Sequence, residues 1–304
     1  MLKAFFQQRI MFIETFITYL RVERGSSPHT LKAYETDLRD YAEYLKSVDE
    51  TLEPADSDRD LVRGWMAKMM DKGCAINSVC RKLSSLRAFF LYIKGKGIIA
   101  EDPTEGLRGP KKRKQLPVFI KEEEMEELFD NQFSEDGFLD TRNRTIISCF
   151  YEMGIRLSEL CGLNVADVDF SEKQVKVLGK RSKERIVPFG SSLREQIAEY
   201  IELRNEIAPN SENALFISER GGRISHSQVY RMVRSNLARV STVKRRGPHT
   251  LRHTFATTML NNNAELGAVK ELLGHEQLAT TEVYTHVTFE ELKKVYKMAH
   301  PRAD

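Results

Sequence analysis

Apolar positions in the first hundred residues recur at helical spacing. Ile13, Phe16, Ile17 and Leu20 mark one face. Ser27-Pro28 reads as an N-cap followed by proline at the first helical position. Leu31, Tyr34, Leu38, Tyr41, Ala42 and Leu45 then carry a second stripe. Leu61, Trp65, Met66 and Met69 predict a third helix closed by Gly73. Val79, Leu83, Leu86, Phe90 and Ile93 predict a fourth closed by Gly95. Four short amphipathic helices of this kind form a small bundle, with the aromatic and methionine stripes as its core.

The pattern changes beyond a boundary at Gly109–Pro117, where two prolines bracket the consecutive basic residues Lys111, Lys112, Arg113 and Lys114. Such a segment cannot build a core; it is either a linker that tracks phosphates or a plain exposed tether. Helices are expected near 121–130, 139–151 and 155–162. Gln174–Leu178 and Glu184–Pro188 alternate like two strands, joined by a Gly-Lys-Arg-Ser-Lys turn at 179–183. A helix near 191–207, a short apolar strand Ala214–Ile217, and helices near 225–240, 248–262, 265–273 and 288–298 complete the chain. The expected class is mainly α with a small β-sheet. The expected domains are a helical one at 1–108, a basic linker at 109–117, and a mixed, mostly helical one at 118–304.

Composition narrows the class. The chain has 304 residues, 41% hydrophobic and 30% charged, which suits two packed domains and excludes wholesale disorder. No apolar run approaches the roughly 20 residues that span a bilayer, so no membrane partner is expected. The opening MLKAFFQQRIMFIETF carries Gln and Arg inside its apolar stretch and reads against a signal peptide. Cys74, Cys80, Cys149 and Cys161 have no CxxC spacing and read as reduced thiols, consistent with a cytoplasmic protein.

The net charge of +3 says little, but its distribution says more. Residues 72–100 hold six basic side chains, among them Arg81, Lys82 and Arg87, and no acid. The window 220–264 holds nine, including Arg231, Arg234, Lys244, Arg245, Arg246 and Arg252, again with no acid. Acids gather at 49–60, 122–140 and 265–291. This segregation points to one polyanion-facing surface.

Candidate chemistry begins at His249-Thr-Leu-Arg252-His253. Pro248 places it in the first turn of a helix, where His249 and Arg252 share a face and backbone N–H groups add positive potential, a combination that suits a phosphate. His249 and His253 as metal ligands lack the intervening Glu of HExxH. Leu272-Leu273-Gly274 ends a helix and delivers His275 into a loop. Tyr284 follows nine residues later, within TTEVYTHV. Arg156 stands at a loop-to-helix junction in EMGIRLSEL, and Lys180 at the tip of the strand turn.

MGIRLSEL, LGKRSKERIVP, HTLRHTFAT, LLGH and TTEVYTHV, in this order and spacing, resemble the catalytic domain of tyrosine site-specific recombinases of the phage integrase family, closest to the bacterial Xer recombinases. The start, with SSPHTLKAYETDL, is similar to their SAM-like core-binding domain. The resemblance implies Tyr284 as nucleophile, Arg156 and Arg252 as clamps on the scissile phosphate, and Lys180 as general acid. It implies His249 and His275 as phosphate and proton handlers, and Glu159 as an orienting residue. Arg181 stands where the family often has Gly, so Lys183 stays a competitor for the acid.

No cofactor and no metal is implied. The implied partner is a short inverted-repeat site in double-stranded DNA, cut by a tetramer of this chain or of this chain with a paralogue, with a DNA translocase as a further partner. The resemblance implies site-specific recombination through a 3′-phosphotyrosine intermediate and a Holliday junction, with chromosome dimer resolution as the expected role; an integrase or transposase of a mobile element, or a non-catalytic DNA-binding protein of the same fold, is the alternative. Arg81, Lys82, Arg87, Lys111 to Lys114, Gln228, Arg231, Arg234 and Lys244 to Arg246 are the candidate DNA contacts. The tail stripe Phe289, Leu292, Val295 and Tyr296 could dock on a neighbouring subunit or on its own domain.

Overall fold

The computed structural model describes residues 2–111, 118–131, 133, 137–179, 183–208, 213–243, 246–274 and 289–303, with residues 2–11 and 131 as helical backbone. The chain divides into two compact units, Met1–Gln115 and Leu116–Asp304.

The first unit is built from α1 (Leu2–Val22), α2 (Pro28–Val48), α3 (Arg59–Asp71) and α4 (Ile76–Gly95). The Ser27 side chain accepts from Thr30 N–H with Pro28 in the first turn, and Asp58 caps α3 by accepting from Leu61 N–H. Tyr41, Leu45, Val62, Trp65, Leu86, Phe89 and Phe90 are buried together. The Tyr41 and Trp65 rings meet edge-on at 4.9 Å.

The second unit holds α5 (Glu122–Asn131), α6 (Phe138–Met153), α7 (Leu157–Gly162), β1 (Val168–Asp169), β2 (Gln174–Leu178), β3 (Glu184–Pro188), α8 (Ser191–Ile207), α9 (His226–Val240), α10 (Pro248–Asn261), α11 (Leu266–Leu273) and α12 (Phe289–Ala299). The sheet is antiparallel in the order β1-β2-β3, and Val175 pairs with Val187. Val175, Val177 and Val187 face the core, while Lys176, Leu178, Glu184 and Ile186 face out. The helices near 121–130 through 288–298 fall where periodicity predicts them. Ala214–Ile217 does not form a strand: Ala214 and Ile217 make isolated bridges to Asn164 and Arg223. Its apolar run is explained by burial against the core, which a short strand and a buried loop share.

The tail packs on its own unit. Leu292 and Tyr296 of α12 are buried with Phe255 and Met259 of α10 and Val269 and Leu272 of α11, and Ala299 and Ala303 continue the same cluster. His300 lies between Tyr151, Phe255 and Tyr296, with its Nε2 3.2 Å from the Tyr151 carbonyl oxygen.

Candidate active site

Two helix ends and one helix start organise the site. α6 ends at Gly154, which adopts φ +57; a Cβ there would lie 2.4 Å from Phe255 Cδ1, so both backbone and packing require glycine. Two residues later Arg156 caps α7. Its backbone N–H donates to Glu159 Oε2 at 2.8 Å and its guanidinium to Glu159 Oε1 at 2.7 Å. α11 ends at Gly274, also left-handed at φ +63.

The last carbonyls of a helix have no intrahelical donor and carry the negative end of its dipole. At the end of α11 three of them in succession accept from three different arginines. Leu272 O accepts from Arg185 Nε at 3.0 Å, Leu273 O from Arg252, and Gly274 O from Arg156 at 2.7 Å. Arg252 also donates to Gly154 O at 2.5 Å, so one guanidinium ties the end of α6 to the end of α11.

Glu159 is the counter-charge. Its side chain is 1% exposed and accepts from Arg185 at 2.8 Å and 2.9 Å as well as from Arg156. Burial alone would raise its pKa, but the Arg185 and Arg156 hydrogen bonds overcome this and hold it at about 2. Arg252 is only 8% exposed; desolvation, then the nearby Arg156 charge, pulls its pKa to about 10, which still leaves it a cation at neutral pH. Arg156 remains one third exposed. Three guanidiniums against one carboxylate leave a positive cluster held by fixed carbonyls. It requires little reorganisation to receive an anion.

His249 is exposed one turn before Arg252, with its ring 5.0 Å from that of His253. Partial desolvation, with His253 and the Arg252 charge beside it, lowers its pKa and favours the neutral ring. Lys180, His275 and Tyr284 lie outside the described residues, as do Lys112, Arg113, Lys114, Lys244 and Arg245. Lys183 is exposed, and its carbonyl accepts from Gly179 N–H at 2.8 Å across the turn.

Of the predicted DNA contacts, Arg81 makes a two-pronged pair with the buried Asp37, which also accepts from Ser85. Lys82 pairs with Asp40, and Arg87 donates to the Leu107 carbonyl. Arg81 stays half exposed. Gln228 closes the α9 cap with Ser225 at 3.0 Å, Arg231 donates to Ser227 O at 3.3 Å, and Arg246 to Val243 O at 2.7 Å. Arg234 and Lys111 are exposed.

Arg185 is absent from the sequence-based site. Strand alternation places it on the face of the buried Val187, and a basic residue at an inward strand position is the signal that could have found it.

Comparison with known proteins sets this geometry in context. The phage integrase family matches residues 118–291, and its N-terminal SAM-like domain matches residues 13–97. Tyrosine recombinase XerC of Thermodesulfovibrio yellowstonii is 39% identical over 295 residues, covering 95% of this chain and 96% of that protein. Tyrosine recombinase XerD of Oceanobacillus iheyensis is 36% identical, covering 96% of this chain and 98% of that protein. In fold, the chain is similar to an integrase of the transposon Tn1549 in complex with transposon right-end DNA. The TM-score is 0.72 at 19% identity, over 93% of this chain and 97% of that one. It is also similar to the XerH recombinase bound to its difH substrate, with a TM-score of 0.68 at 20% identity over 93% and 83% of the two chains.

Proposed function

The chain belongs to the phage integrase family, the tyrosine recombinases that cut and rejoin DNA, and from that premise we propose a residue-level reading of its chemistry and its role. Tyr284 attacks the scissile phosphorus, and its oxygen takes the place of the 5′-oxygen, giving a 3′-phosphotyrosine. The leaving 5′-hydroxyl carries a proton from Lys180. Attack by a 5′-hydroxyl from the partner strand reverses the step and frees the tyrosine, so the phosphoester energy is kept and no ATP is needed.

Arg156 and Arg252 bind the non-bridging oxygens. Charge on those oxygens grows towards the pentacovalent state, so fixed cations stabilise it more than the ground state. A phenol of ordinary pKa about 10 is a poor nucleophile at neutral pH, and the same field favours its ionised form. A largely neutral His249 can accept a hydrogen bond or a proton there. His275, directly after Gly274 in the sequence, has the corresponding role.

The observation that carries this reading is the arginine-capped end of α11. The clamp arginines of two separate helices meet at one helix terminus, and the sequence places His275 directly after it. Phosphate contacts from the basic windows make binding steeply salt-dependent. The partner is double-stranded DNA with a short inverted-repeat site. The active assembly is a tetramer of this chain, or of this chain with a paralogue, acting through a Holliday junction and regulated by a DNA translocase.

Identity of 36–39% to relatives named XerC and XerD over nearly the whole chain favours chromosome dimer resolution. Genome-wide mapping of trapped protein–DNA adducts tests this. One locus opposite the replication origin is expected; adducts confined to the ends of a mobile element would contradict it.

A further inference from the structure

Arg185 lies outside the phosphate clamp, yet its guanidinium donates to both the carboxylate and the helix end that hold the clamp together. It is 15% exposed, and its two terminal nitrogens are spent on the two oxygens of Glu159. Its Nε donates to Leu272 O, one carbonyl before the acceptor of Arg252 and two before that of Arg156. Gly274 packs against the same side chain, and a Cβ at Gly274 would sit 3.1 Å from Arg185 Nη1.

Glu159 is enclosed and ionised. Paired with Arg156 alone, it would offset much of that guanidinium's charge at 2.7 Å, because Glu159 itself is held out of water. A second guanidinium on both carboxylate oxygens satisfies Glu159 independently. The positive charge of Arg156 is then available to an incoming anion, while its orientation is still set by Glu159 and Gly274 O. β3 is also the strand that leaves the turn bearing Lys180, so the same side chain ties that strand to the end of α11.

We propose that Arg185 is a positioning residue for strand cleavage: it neutralises Glu159 so that Arg156 keeps its charge for the phosphate, and it fixes the end of α11 against β3. This rests on the clamp reading of Arg156 and Arg252. Arg185 does not touch the phosphate; it acts through Glu159, Arg156 and Leu272 O.

The test is single-turnover cleavage of a nicked suicide duplex cut from the site at which the wild-type protein traps itself on its own chromosome. Arg185→Gln is expected to slow cleavage by about 10²-fold, comparable to losing one preorganised donor. Its DNA affinity is expected to stay within about threefold, because phosphate contacts elsewhere dominate binding. The double variant Glu159→Gln/Arg185→Gln removes the uncompensated carboxylate and is expected to cleave about tenfold faster than Arg185→Gln alone, a coupling that a purely structural role does not produce. A neutral methylphosphonate at the scissile position should shrink the Arg185→Gln defect, since less charge then develops there. Arg185→Lys keeps the charge and guards against a variant that merely fails to fold; it should cleave faster than Arg185→Gln.

Near-wild-type cleavage by Arg185→Gln would overturn the proposal, as would a double variant no faster than the single one. Arg156→Gln in the same assay separates the premise from the proposal. If it cleaves normally, the clamp reading itself fails. If it is inactive while Arg185→Gln is normal, only the role of Arg185 fails.

Discussion

Arg252 is almost wholly out of water, yet it remains charged because carbonyls at the ends of α6 and α11 replace its hydration. One of those carbonyls belongs to Gly154, whose left-handed backbone and contact with Phe255 leave no room for a side chain. Gly154→Ala should therefore lower stability by about 2–4 kcal/mol, from backbone strain of about 1 kcal/mol and overpacking of about 1–3 kcal/mol. It should also slow cleavage by displacing the acceptor of Arg252. Urea denaturation and trapping on a suicide duplex measure the two effects; a variant of unchanged midpoint and rate would contradict this role for Gly154. At this scale the sequence was legible where spacing within one segment is informative: Arg156 to Glu159 within one helical start, and His249 to Arg252 within one turn. Arg185 was not legible in the same way, because its partners Glu159 and Leu272 lie far away along the chain.

The helices were readable from period and punctuation. Ser27-Pro28, Gly73 and Gly274 mark ends because a cap oxygen, or a left-handed residue, satisfies orphan backbone groups there. The tail shows what period leaves open. The stripe on α12 specified an apolar face but not its partner, which here is the chain's own α10 and α11.

That docking buries opposed titratable groups. Glu152 is fully buried, with the Gly190 backbone N–H directed at its carboxyl. Burial pushes its pKa up to about 8, against the pull of Arg302. Burial, with Arg302 adding to it against the Tyr151 carbonyl contact, pushes His300 down to about 4. The Tyr296 hydroxyl beside them is held neutral, mainly by burial and then by Glu152.

The signs differ. The stability tied to neutral Glu152 is complete below its unfolded value of 4.5 and is lost as pH rises through 8. The stability tied to neutral His300 is complete above 6.5 and is lost as pH falls through 4. The two slopes oppose each other between 4.5 and 6.5, and above 6.5 only the Glu152 loss remains. Thermal unfolding should show stability falling from pH 6.5 to 8. Glu152→Gln should flatten that fall and add on the order of a few kcal/mol at pH 8. A parallel decline in the variant would mean that Glu152 is not its source.

Across the whole molecule, two units carry separate cores, and the chain divides after Gln115. Charge segregation was visible in the sequence, but the role of each basic residue was not. Arg81, Lys82 and Arg87 are all engaged within the first unit, and Asp37 holds Arg81 with its guanidinium still half exposed. The most direct measurement is the chemical identity of the protein–DNA bond. Wild-type protein, in EDTA, is incubated with a nicked duplex carrying its site, digested, and analysed by peptide mass spectrometry. The expected result is a 3′-phosphate ester on Tyr284 and no adduct from Tyr284→Phe, with DNA binding retained. An ester on another residue, or an adduct from the Phe variant, would contradict the central claim.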